Sequence, residues 1–205
     1  MNRFFLLNTR IEPGQTVDLS PLAHQLSRVL RLNPGEQILL LDGDNTEYLT
    51  EIRTLARSQA SGTVLSRHHV EREPSTRLTL YQCSLKADKF EWVLQKGTEL
   101  GLSAFTPVIS ERSVVRPTET LLKKYDRWRT IIREAAEQSG RGRLPVLNDP
   151  LSFTNAIQVA TGLRYLPWEE MSQPGEAMGL GSAIDLEKTE TQRISMMIGP
   201  EGGLA

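Results

Sequence analysis

Near the carboxyl end, the apolar run Ile194-Ser195-Met196-Met197-Ile198 is followed by Gly199-Pro200-Glu201-Gly202-Gly203. In a parallel sheet, ligands bind beyond the carboxyl ends of the strands. Glycines let backbone amides approach a ligand with no side chain in the way. Such a loop can hold an adenosine or a phosphate; a plain tight turn has the same composition. The Lys-Ser/Thr pair of a P-loop is missing, and no Gly-x-Gly-x-x-Gly follows a first strand. Both facts argue against an NTPase and an ordinary Rossmann nucleotide site.

Two other groupings carry candidate chemistry. Lys89 and Lys96 lie seven apart on one helical face, with Glu99 one turn beyond Lys96; spacing alone favours a solvated ion pair. The second grouping is Ser110-Glu111-Arg112-Ser113-Val114-Val115-Arg116 together with Glu134-Ala135-Ala136-Glu137-Gln138-Ser139-Gly140-Arg141. Arginines at a strand end and just past a helix suit phosphate contacts. Glu134, Glu137 and Gln138 either orient those arginines or form helix surface. Cys83 is the single cysteine, which excludes an internal disulfide and a multi-cysteine zinc site. It lies in a strand-like run and reads as a buried structural thiol. His68 and His69 are adjacent on a strand and face opposite ways, a poor shared metal site. No metal is expected.

The 205 residues carry 24 Lys/Arg and 25 Asp/Glu, a net charge of -1 that seems to argue against nucleic acid. The distribution says otherwise. Residues 1–143 have a net charge of +4 and residues 144–205 a net charge of -5. The stretch Arg112 to Arg143 holds 9 Lys/Arg against 4 Asp/Glu, and polyanion binding follows the local field. The first apolar run, Phe4 to Leu7, is too short for a signal-peptide core. No run approaches the ~20 apolar residues of a membrane span. The expected location is the cytoplasm.

Residues up to about 73 read as short strands, Phe4–Leu7, Gln37–Leu41, Glu47–Thr54 and Ser61–Arg67, separated by turn residues. One helix, Pro21 to Leu30, interrupts them, with Ser20 as N-cap. This pattern predicts a small β-barrel. Glu71 to Thr76 reads as a linker. Beyond it strands alternate with helices: Arg77–Ser84, helix Lys89–Leu100, Ala104–Ile109, a long helix Thr120–Ser139 stopped by Gly140, Val146–Leu147, helix Phe153–Ala160, Leu163–Leu166 and Arg193–Ile198. Alternation of this kind predicts a largely parallel sheet with helices on its faces. Met171 to Thr191 reads as a loop or insertion.

Taken together, these strings resemble the ribosomal RNA small-subunit methyltransferase E family of SPOUT (trefoil-knot) methyltransferases. The matching stretches are Arg3-Phe4-Phe5, His24 with Val29-Leu30-Arg31, Leu41-Asp42-Gly43, Lys86-Ala87-Asp88-Lys89, Gln95-Lys96-Gly97-Thr98-Glu99-Leu100-Gly101, Ser110 to Ser113, Glu134 to Arg141 and Gly199 to Gly203. The resemblance implies an α/β protein with a PUA-like RNA-binding β-barrel at 1–73 and a knotted SPOUT domain at 74–205, usually dimeric. It implies methyl transfer from S-adenosylmethionine to N3 of one uridine in 16S ribosomal RNA. Leu166, Ile198, Gly199, Pro200, Gly202 and Gly203 then border the cofactor. Arg112, Gln138 and Arg141 are expected on the RNA side of the active cleft, and Glu201 or another carboxylate accepts the N3 proton. Arg3, Arg28, Arg31, Lys86, Lys89, Lys96 and Arg116 are the expected RNA contacts.

Two departures stand out. Family members continue past the position of Ala205, with a segment that threads the knot and walls the cofactor pocket. The 205-residue chain is therefore expected to bind S-adenosylmethionine weakly or not at all. Gly97 stands where the family pattern suggests alanine, a change expected to loosen the helix by ~1 kcal/mol. The competing class is a non-catalytic RNA-binding or ribosome-assembly module.

Overall fold

The computed structural model describes residues 1–113, 118–167, 193–201 and 203. Arg116, Gly202 and the expected loop Met171 to Thr191 lie outside the described residues. By contact the chain divides into two units, Met1–Glu73 with Arg133–Leu144, and Pro74–Ile132 with Pro145–Ala205.

The first unit is built on a five-stranded mixed sheet, order β1-β3-β4-β5-β2, from β1 (Arg3–Phe5), β2 (Thr16–Asp18), β3 (Gln37–Leu41), β4 (Thr46–Leu55) and β5 (Ala60–His69). β1 runs parallel to β3 and the other pairs are antiparallel. Two register shifts in the β4–β5 ladder bend the long hairpin. Alternate residues Ile38, Leu40, Tyr48, Ile52 and Val64 face one core with Phe4, Leu19 and Leu26.

Sequence patterning missed β2. The expected helix from Pro21 is instead a 3-10 turn, Ser20–Leu22, and a π-helical turn, Gln25–Val29. Ser20 is not its N-cap: the Ser20 N–H donates to Asp18 Oδ1 at 2.9 Å, and the cap before the turn has no side-chain hydrogen bond. Burial of Leu22, Ala23 and Leu26 in the sheet core overrides regular α geometry here.

By contact, residues 133–144 group with the first unit, although they lie beyond residue 74 in sequence. The cause is local. Ala136 and Leu144 pack with Phe5, Leu41 and Val70. The Phe5 N–H donates to the Glu137 carboxylate at 2.9 Å. Gly140, at φ +72°, ends the preceding helix, and the Arg141 N–H closes back on the Ala136 carbonyl at 2.9 Å.

The second unit holds a six-stranded sheet in which every pairing is parallel. Its strands are β6 (Arg77–Cys83), β7 (Ala104–Ile109), β8 (Val146–Leu147), β9 (Leu151–Ser152), β10 (Leu163–Tyr165) and β11 (Arg193–Ile198), in the order β10-β11-β6-β7-β8 with β9 on β7. The helices are α1 (Ala87–Glu99), α2 (Thr118–Leu122), α3 (Tyr125–Ser139) and α4 (Phe153–Val159). The expected single helix from Thr120 is thus interrupted after Leu122. Its inner residues Leu121, Tyr125, Trp128 and Ile132 are nonetheless buried with Phe90, Leu94 and Phe105 on one sheet face. Phe90 stacks on Trp128 with ring centroids 4.4 Å apart. On the other face Tyr81, Cys83, Val108 and Met197 pack on Ala156 and Ala160. Cys83 is a buried free thiol that burial pushes up, an inert core residue.

Candidate cofactor and RNA site

The parallel order fixes where a ligand can bind. From β6 the chain moves outward through β7 and β8. It then returns by β10 to place β11 against β6. The order therefore reverses beside β6 and β11, and the crevice beyond their carboxyl ends is the expected ligand position. Ser84, Leu85 and Lys86 follow β6, Leu166 follows β10, and Gly199 to Glu201 follow β11.

Side chains of the second unit hold this loop. Gln82, buried on β6, donates from Nε2 to the Gly199 carbonyl at 3.4 Å and to the Cys83 carbonyl at 3.2 Å. The Gly203 N–H donates to the Pro200 carbonyl at 3.0 Å, closing a turn. Gly203 has φ +75°, and among the described residues a Cβ there would meet Arg112 Nη1, at 3.9 Å. Arg112 thus borders the glycine loop from the β7 side. Lys89 on α1 forms an ion pair with Glu201, Nζ to Oε1 2.7 Å. The hydrogen bond from Lys89 holds the Glu201 carboxyl below its ordinary value, and the Lys89 and Lys86 charges act the same way. Leu166 is half exposed and rims an apolar cleft of about 190 Å³ with Tyr81, Ile157, Tyr165 and Met197.

The structure therefore brings Lys89, Arg112, Glu201 and Gly203 to one loop. Lys96 pairs with Glu99 at 2.8 Å, the solvated pair that spacing favoured. Gln138 and Arg141 belong to the first unit. Gln138 is exposed and lines a polar cleft with Arg3. Arg141 is buried, and its guanidinium donates to Glu73 from Nε at 3.1 Å and from Nη2 at 2.6 Å. Arg28, in the π-helical turn, and Arg31, just past it, are exposed. Arg3 is half-buried and pairs with Glu47 at 3.1 Å. Sequence reading missed Gln82 and Glu73, because a glutamine in a strand and a glutamate in a linker carry no local signal.

The sequence pattern of an RNA methyltransferase domain matches residues 71–205, and that of an RNA methyltransferase PUA domain matches residues 26–65. Ribosomal RNA small subunit methyltransferase E of Bacillus subtilis is 34% identical over 210 residues, covering 100% of this chain and 82% of that protein. The chain belongs to the ribosomal RNA small subunit methyltransferase E family. The methyltransferase E of Synechocystis is 33% identical over 94% of this chain and 61% of that protein. The crystal structure of the Neisseria gonorrhoeae methyltransferase E bound to S-adenosyl methionine is 31% identical, with a TM-score of 0.86 over 100% of this chain and 82% of that one. A Legionella pneumophila methyltransferase in complex with the same cofactor superposes with a TM-score of 0.86 at 30% identity, over 99% of this chain and 81% of that one.

As a methyltransferase E chain, the protein has the expected α/β fold, with a PUA-like first domain and a parallel-sheet methyltransferase domain. The β11 loop fits S-adenosylmethionine on its own geometry. It offers glycine backbone at a strand end, a left-handed Gly203 bordered by the Arg112 guanidinium, and an ion pair that ties its middle to α1. Among the described residues no helix is long and apolar enough to cross a membrane.

Proposed function

We propose that the protein methylates N3 of one uridine in 16S ribosomal RNA, using S-adenosylmethionine, and that it works as a homodimer in the cytoplasm, where small subunits are made. One observation carries this reading. Gly203, Glu201, Lys89 and Arg112 converge on the loop beyond β11, at the reversal of a parallel sheet.

When bound, S-adenosylmethionine supplies a sulfonium methyl group, which is electrophilic without a metal. Ile198, Gly199, Pro200, Gly203 and Leu166 hold it, with Gly202 between them in sequence. The chain's own side chains must then make the uracil N3 a nucleophile. The imide proton has to leave as the N3–C bond forms and the C–S bond breaks. Glu201, kept ionised by Lys89, accepts that proton. Arg112 faces the charge that develops on the base. Gln82 is a positioning residue that fixes the first carbonyl of the loop. Residues 1–73 act as the RNA-binding barrel and residues from 74 as the methyltransferase domain. Arg3, Arg28, Arg31, Lys86 and Lys89 contact phosphates, together with Lys96 and Arg116. Gln138 acts on the RNA side, and Arg141 acts through Glu73 as a positioning residue.

The test is transfer of labelled methyl groups to isolated small subunits. Label recovered as 3-methyluridine supports the reading. Label on another base, or on large subunits only, contradicts it.

A further inference from the structure

The first unit carries a polar cleft lined by Arg3, Phe4, Gln25, Leu30, Glu137 and Gln138. Its chemistry exceeds what holding the fold requires. Glu137 is half-buried and uses Oε1 to accept the Phe5 N–H at 2.9 Å. The second carboxylate oxygen remains for another donor. Among the described residues the side-chain amides of Gln25 and Gln138 make no hydrogen bond. Arg3 is held by Glu47 at 3.1 Å, so its guanidinium is fixed before any ligand arrives.

The rim is unusual in a different way. Met1 and Leu30, which line the cleft, are 69% and 36% exposed. Arg28 and Arg31, both exposed, lie within two residues of the cleft residue Leu30 in sequence. Gln25 opens the π-helical turn, closed by Leu30 N–H to the Gln25 carbonyl at 3.0 Å. Arg31 lies in the left-handed region at φ +55°. Short π segments and strained non-glycine residues are costly and concentrate at functional sites.

We propose that this cleft binds one unpaired guanine of the ribosomal RNA, outside the uridine that is methylated. A guanine presents N1–H and N2–H₂ side by side: one donates to Glu137 Oε2 and the other shares Oε1, whose second lone pair the Phe5 N–H leaves unused. The Gln25 and Gln138 amides can donate to its ring acceptors and O6. The apolar rim covers a base face, while Arg3, Arg28 and Arg31 take the flanking phosphates. Uracil and cytosine offer no such paired donors, and adenine offers a single amino group. The proposal rests on RNA being the substrate, and it deepens the role of the first unit.

The experiment needs no cofactor, so its failure is separate from failure of the methylation reading. Binding of the whole chain is measured by fluorescence anisotropy for the pentamers UUGUU, UUAUU, UUCUU and UUUUU. UUGUU is expected to bind about tenfold more tightly than the others. Replacing its guanine with inosine, which lacks the N2 amino group, removes much of that preference. Glu137→Gln keeps an oxygen for the Phe5 N–H and turns the other acceptor into a donor; it abolishes the preference while weakening binding to UUUUU little. The burial that pushes the Glu137 carboxyl up makes a neutral isostere at this position compatible with folding, which thermal melting verifies. Gln138→Ala lowers UUGUU affinity in the same direction. Equal affinity for all four pentamers, a preference that survives Glu137→Gln, or no measurable binding to any of them overturns the proposal.

Discussion

The Lys89 ammonium lies 2.7 Å from the Glu201 carboxylate, tying the first turns of α1 to the loop beyond β11. The two residues are far apart in sequence, and only the parallel packing of β6 against β11 brings their elements together. The pair keeps Glu201 ionised below the ordinary carboxylate range, first through its hydrogen bond and then through charge. Glu201→Gln is expected to slow single-turnover methylation by about 10²-fold with little change in cofactor affinity. In Lys89→Ala the carboxyl rises, so the acidic limb of the pH–rate profile moves to higher pH. A wild-type rate in Glu201→Gln assigns the proton to another acceptor.

Within the first unit Glu73 gathers donors from Arg141, Gly142 and Arg143. Its carboxylate accepts from Arg141 Nε and Nη2, from the Gly142 N–H at 2.9 Å and from the Arg143 N–H at 3.2 Å. Burial pushes this carboxyl up, but the Arg141 hydrogen bonds and charge, with the two backbone donors, outweigh it and leave it below its usual value of 4.5. A depressed carboxyl stabilises the fold above its unfolded pKa, and that contribution is lost as pH falls through the folded value. Glu73→Gln leaves Arg141 buried without its counter-charge and should cost about 3 kcal/mol at neutral pH. Urea melts at several pH values check this: the variant's deficit should shrink as pH falls below the usual carboxylate value and through the lower folded one. A deficit independent of pH would mean packing, not the ion pair, is what was lost.

Gly97 shows why a helix-propensity rule reverses in context. Alanine there would gain ~1 kcal/mol of propensity on an exposed helix. Here its Cβ would stand 2.6 Å from Phe105 Cε1 and 3.1 Å from Leu102 Cδ2, and Phe105 is fully buried. Overpacking of this kind costs about 1–3 kcal/mol. Gly97→Ala is therefore expected to lower the melting temperature by a few degrees. An unchanged or higher value would show that Phe105 gives way freely.

RNA affinity should fall steeply with salt if exposed arginines contact phosphates. Each phosphate contact adds about 0.7 to the slope of log affinity against log salt for a single strand. Arg28→Ala and Arg31→Ala should each reduce the slope by about that much. A slope that neither change alters removes these residues from the RNA surface.

The sequence made the second unit readable because its elements obey local rules. Alternating apolar residues marked β6, β7 and β11, and the 3.6-residue spacing of Leu121, Tyr125, Trp128 and Ile132 marked the buried helix face. The first unit hid more. A three-residue strand such as β2 is too short for periodicity, and the π-helical turn at Gln25 depends on burial of Leu26 rather than on any cap. At the site, Gly199 to Gly203 and Arg112 were visible as motifs. Lys89 was visible as a helix-face cation but not as the partner of Glu201, and Gln82 was not assignable, since both roles come from the neighbours β6 acquires in the sheet. Arg141 was visible as a motif residue but not as the buried partner of Glu73, because that contact spans 68 residues.

The central claim is met most directly by nucleoside analysis of 16S RNA from cells in which the gene is deleted. Small-subunit RNA from the deletion strain should lack one 3-methyluridine. The natural gene should restore it, and the gene carrying both Arg112→Ala and Glu201→Gln should not. Undiminished 3-methyluridine in the deletion strain, or full restoration by the double variant, would contradict the account.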